Sequence, residues 1–117
     1  MGSIFIEGDT KNVWEALTKE EQLMKCLVPG ATLHMPELDE GEQIEHIYQP
    51  DSEHPETKTE MITIESVIPF QEFSFIREGE TTKTIFMLKE DAAGTTVTVN
   101  ISRYDDALER LKTLIEG

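Results

Sequence analysis

The chain opens on a short apolar run, Ile4-Phe5-Ile6, that ends at Gly8. Val13, Trp14, Ala16 and Leu17 then recur at helical spacing, and Asp9 or Thr10 stands where an N-cap would accept a free N–H of the first turn. Thr18 and Glu21 have the spacing of a capping box, which predicts a second short helix with Leu23, Cys26 and Leu27 inward and Pro29-Gly30 as its stop. Beyond Gly30 the period changes from 3.6 to 2. The alternation predicts six strands, over 32–38, 43–49, 57–68, 72–77, 83–89 and 95–104. Turn chemistry separates them: Asp39-Glu40-Gly41, the stretch 50–55, Pro69, Glu78-Gly79-Glu80 and Ala93-Gly94. Gaps this short favour antiparallel hairpins, since a parallel crossover needs about a dozen residues. Val97, Val99 and Ile101 alternate with Thr96, Thr98 and Asn100, so one face of the sheet is dry and the other wet.

A last helix is predicted over 106–116, opened by Asp106 with Glu109 at capping-box spacing. Leu108, Leu111 and Ile115 form its apolar stripe, widened by Leu114. The order is strand, two helices, six strands, helix: an α+β single domain over 1–117, in which helices cover a one-sided sheet.

Charge narrows the partners. The 117 residues carry 24 acidic and 10 basic side chains, a net charge of −14. Such a surface repels phosphate backbones and anionic headgroups, which argues against nucleic acid or a membrane as partner. The charge is local: from Glu37 to Glu60 there are nine acids and one base, Lys58. The single cysteine, Cys26, cannot form an internal disulfide, which fits a reducing compartment. The N-terminal residues show no basic patch followed by an apolar run, and no stretch approaches the ~20 apolar residues of a membrane span. The expected location is cytoplasmic.

Three segments carry a family resemblance. NVWEALTKEEQL (12–23) resembles the opening of the START-like, Bet v 1-type (SRPBCC) superfamily, in the branch similar to the Hsp90 ATPase activator domain, which reads V-W-x-A-L-T, an acidic turn and a leucine. TEMITIESVIPFQEFSFIRE (59–78) is similar to that family's strand, proline turn and strand. KTIFMLKEDAAGTTVTVNISRY (83–104) resembles its closing hairpin, with the G-T-x-V/L-T-V/L core at 94–99. Together they span nearly the whole chain. The resemblance implies a helix-grip fold: a seven-stranded antiparallel sheet gripping a C-terminal helix, with an apolar cavity between them. Two features depart from the pattern. Cys26-Leu27 stand where the family commonly has tryptophan, and a final helix of about 11 residues spans only roughly 16 Å. The grip is therefore expected to be abbreviated, with part of the dry face exposed, self-filled or covered by a second chain, giving a monomer or a homodimer.

Candidate chemistry is sparse. Counting back from Gly41 gives Glu40, Leu38 and Pro36 at alternate positions, which fails the calcium-loop pattern. His34, His46 and His54 form no H-E-x-x-H, and phosphate-loop and nucleophile-elbow motifs are absent. No metal, cofactor or catalytic residue is assigned. Cys26 reads as a small buried hydrophobe rather than a nucleophile.

Within IEHIYQ, His46 lies between Ile44 and Tyr48 on one side of its strand. Turned inward, imidazole and phenol would orient a polar ligand group in an apolar space; turned outward, they are surface residues. Trp14, Phe73, Phe75 and Phe86 are core aromatics that would double as pocket wall, with Val99, Leu108 and Leu111 beside them. Arg77 continues the face of Phe73 and Phe75, and Arg103 that of Val99 and Ile101; either, turned inward, would pair with a ligand carboxylate, and otherwise with the surrounding acids. The first functional expectation is a small apolar or amphipathic ligand held between sheet and C-terminal helix. The alternative is a protein-interaction module whose acidic region between Glu37 and Glu60 meets a basic partner. A third is a cyclase-like enzyme with His46 and Tyr48 as acid–base pair.

Overall fold

The structure, a computed structural model, describes residues 2–19, 32–35, 37–48 and 58–117, with the side chains of Tyr48 and Arg103 outside that description. The expected second helix with Cys26, the turn at 50–55 and His54 also lie outside it. In chain order the elements are β1 (Gly2–Ile6), α1 (Thr10–Thr18), β2 (Thr32–His34), β3 (Gln43–Tyr48), β4 (Lys58–Ile68), β5 (Glu72–Arg77), β6 (Thr84–Asp91), β7 (Gly94–Val99), a 3-10 turn (Ser102–Tyr104) and α2 (Asp105–Glu116). The strands form one antiparallel sheet in the order β1-β7-β6-β5-β4-β3-β2. The α+β helix-grip class follows from this sheet and its C-terminal helix.

Register aligns the apolar positions into rows. Val67 faces Phe73, Phe73 faces Phe86, and Phe86 faces Val99. These join Ile6, Val13, Leu17, Ile64, Phe75, Val97, Leu108 and Leu111 in one core. Burying each large side chain contributes about 1.5–3 kcal/mol, which is what holds the helices to the sheet. Between Ile64 and Ser66 the pairing with β5 slips, leaving Glu65 as an extra residue in a bulge.

Asp9 caps α1, its Oδ1 accepting from the N–H of Asn12 at 2.8 Å. The buried Thr95 hydroxyl donates to the carbonyl of Gly8 at 3.0 Å, tying the entry of α1 to β7. At the same edge of the sheet α2 packs on β1, which among the described residues has no strand on its outer side. Lys112 Nζ donates to the carbonyl of Phe5 at 2.7 Å, and Glu116 accepts from the N–H of Glu7 at 2.9 Å. The hydrogen bond from Glu7, then that from Lys112, holds the Glu116 carboxyl below its usual pKa. These side chains take up edge groups that would otherwise pair with another chain.

Three sequence expectations are corrected. Strand β2 stops at His34, short of 38. Strand β7 stops at Val99, because the Asn100 side chain finishes the ladder: its Oδ1 accepts from Ile85 N at 2.7 Å and its Nδ2 donates to Lys83 O at 2.8 Å. Helix α2 starts at Asp105 after Tyr104, with no side-chain cap, and Asp106 lies in its first turn. Acids there are favoured by the helix dipole without capping geometry.

Candidate functional site: a buried polar corner

Alternation places the corner. On β5, Phe73, Phe75 and Arg77 share the inner face; on β3, Ile44 and His46 do. Register sets His46 opposite Glu60, and Arg77 opposite Ile62, two residues further along β4. Arg77 therefore lies diagonally across from Glu60, with His46 within reach. The 3-10 turn after β7 brings Tyr104 over the same end of the sheet.

The guanidinium of Arg77 is 8% exposed and holds the group together. Its Nε donates to the Tyr104 hydroxyl oxygen at 2.6 Å. Its Nη1 lies 3.1 Å from His46 Nδ1 and 3.4 Å from Glu60 Oε1. Arginine is a donor only, so His46 Nδ1 accepts, and the neutral ring carries its proton on Nε2. Burial lowers the His46 pKa below its ordinary value, the positive Arg77 lowers it further, and Glu60 acts in the opposite sense. A neutral imidazole beside a permanent cation is the result. The Glu60 contact is longer than the roughly 2.7–2.9 Å of a strong charge-assisted bond, so this ion pair at the rim is a weak one.

Aromatic packing fixes the far side of the corner. The Tyr104 ring stands edge-on to Phe75 at 6.0 Å and 84°, and to Phe86 at 5.8 Å and 61°. Phe75 in turn meets Phe73 at 5.6 Å and Phe86 at 6.3 Å. Thr84, opposite Phe75 in register, is fully buried on this face, and its Oγ1 has no hydrogen-bond partner among the described residues. A cation with directional donors thus sits at one end of an aromatic surface.

Of the residues singled out in the sequence, Trp14, His46, Phe73, Phe75, Phe86, Val99, Leu108 and Leu111 are all buried, and the side chain of Tyr48 lies outside the description. His46 is turned inward, 3% exposed. Trp14 stands apart from the corner: its ring contact is with Phe70, at 6.3 Å. Beneath α2, Phe75, Phe86, Tyr104, Leu108 and Leu111 belong to the one hydrophobic core. Clefts lined by described residues lie at the surface, among them one of about 270 Å3 between α1 and α2. Two members of the corner escaped the sequence reading. Glu60 was legible, since it alternates with Ile62 and Ile64, but it read as one more acid of a charged region. Tyr104 carried no periodic signal.

No protein-family model matches the chain, and no curated protein does. Solved structures do. A Nitrosomonas europaea protein superposes with a TM-score of 0.78 at 14% identity, over 98% of this chain and 92% of that one. A Mycobacterium smegmatis protein gives 0.75 at 16%, over 97% and 88%. The Aha1 dimer from Colwellia psychrerythraea gives 0.73 at 15%, over 98% and 93%. Identities this low establish the shared fold and nothing finer.

Proposed function

We propose that this helix-grip chain binds a small amphipathic molecule, with the Arg77 corner taking its anionic head and its apolar part entering between the sheet and α2 as α2 shifts off Phe75 and Phe86, both buried in the ligand-free chain. The observation that carries the reading is the buried guanidinium. Removing such a group from water costs several kcal/mol (order of magnitude), and an apolar side chain in its place would often leave the protein as stable or more so. Its partners supply orientation: Tyr104 fixes Nε, and His46, kept neutral, accepts from Nη1. Glu60, at 3.4 Å, is the counterion an incoming carboxylate would displace. A titratable group perturbed by burial and by a specific neighbouring charge, as His46 is, is a pattern met at functional sites.

Native mass spectrometry of the gently purified chain in the presence of dodecanoate tests this. A one-to-one adduct supports the reading; its absence with dodecanoate and with aromatic carboxylates alike removes it. A cyclase-like role is less well supported. His46 is a weak base whose proton-accepting Nδ1 already faces Arg77. A second reading, a partner-binding module in a monomer or homodimer, draws support from the exposed acids between β2 and β3, and the comparison with the Colwellia Aha1 dimer extends it to self-association.

A further inference from the structure

Away from the Arg77 corner, the turn between β2 and β3 and the turn between β4 and β5 enclose a surface cleft of about 630 Å3. One wall is acidic: Asp39, Glu40 and Glu42. The other is apolar: Val67 and Pro69, with Leu38 beside the acids. Ile68 and Phe70, on either side of Pro69 in the chain, are 43% and 47% exposed.

The acidic wall is rigid. Gly41 N donates to Ile64 O at 2.8 Å and Ile64 N to Glu42 O at 2.9 Å, so the turn is stitched to β4 beside the bulge at Glu65. Gly41 takes φ +88 at the third position of that turn, a conformation glycine adopts without strain. The apolar wall is fixed too, by the Ile68–Gln71 turn bond at 2.9 Å and by the edge contact of Phe70 with Trp14. Among the described residues, no cation pairs with the carboxylates of Asp39, Glu40 or Glu42.

We infer that this cleft docks a basic segment of another protein, in which an apolar side chain lies between arginines or lysines. The apolar residue packs on Leu38, Val67 and Pro69, and the flanking cations meet the three carboxylates. Charge complementarity selects this occupant: a chain of net charge −14 disfavours a second copy of itself at its acidic surface. The inference rests on the partner-binding reading above, whose partner it specifies, and does not depend on a ligand at the Arg77 corner.

The test is an NMR titration of 15N-labelled protein at low and physiological salt with a capped peptide of alternating arginine and leucine. A peptide of alternating arginine and glycine is the control. Shifts confined to 38–42 and 67–71 are expected, with weaker binding by the control and by all peptides at higher salt. The triple variant Asp39→Asn, Glu40→Gln, Glu42→Gln should bind roughly tenfold more weakly, with its spectrum otherwise unchanged. Equal binding by both peptides, an unaffected triple variant, or shifts spread over the acidic surface would overturn the inference. So would the same shifts arising from concentration alone, which would make the face a self-association surface.

Discussion

Arg77 Nε donates to the Tyr104 hydroxyl oxygen at 2.6 Å, and this bond joins the end of β5 to the turn from which α2 starts. It is short, buried and links residues 27 positions apart. The candidate site and the seating of the C-terminal helix therefore share one hydrogen bond.

Tyr104→Phe keeps the ring contacts with Phe75 and Phe86 and deletes the acceptor. A hydrogen bond to a charged group is worth about 1.5–3 kcal/mol, and a loss in that range is expected in urea unfolding. A change near zero would show that Arg77 is held by its other partners alone.

Thr84→Val should go the other way. The Thr84 hydroxyl is buried without a partner among the described residues, so replacing it with a methyl group removes a desolvation penalty of about 1 kcal/mol or more. Thermal unfolding should show a higher midpoint. A lower one would mean that the hydroxyl is engaged in the folded chain.

Acidification should weaken the fold through His46. The unfolded ring takes up its proton near 6.5, whereas the folded ring does so only at lower pH, because burial and Arg77 oppose the charge. Between those two values the unfolded chain binds more protons. Stability is thus fully present above about pH 6.5 and is lost as pH falls through the lowered pKa. Urea unfolding from pH 7.5 to 5 should show this slope, and His46→Asn should flatten it. An identical slope in the variant would assign the effect to other groups.

Phe70 occupies φ +66 at the third position of the turn after β4, where a side chain is strained. Phe70→Gly should exceed Phe70→Ala in stability by about 1 kcal/mol, because alanine keeps the strain and glycine relieves it. Chemical denaturation of the pair checks this; alanine equal to or better than glycine would show the turn relaxing to negative φ.

The sheet was legible wherever alternation and turn chemistry agreed. Strand β5 runs from Glu72 to Arg77 as expected, because Pro69 and Gly79 bracket an uninterrupted alternation. They disagreed at the end of β7, where Ile101 prolongs the alternation of Val97 and Val99, and a single side chain, Asn100, ends the strand instead. The start of α2 was misplaced because capping letters at Asp106 and Glu109 outweighed the acid just before them. The corner was legible only in parts. Each strand's phase put His46 or Arg77 on a face, but their meeting depends on register across three strands and on a turn that lacks periodicity. Which groups converge was therefore a property of the fold rather than of any segment.

The central claim is that Arg77 reads the charged head of an amphipathic ligand. Isothermal titration of the wild-type chain and of Arg77→Met with dodecanoate and with dodecanol tests it most directly. The expected result is one-to-one binding of dodecanoate by the wild type, preferred over dodecanol by roughly tenfold or more, as a charge-assisted hydrogen bond would give, with that preference lost in the variant. No binding of dodecanoate, or a preference that survives in Arg77→Met, would contradict it.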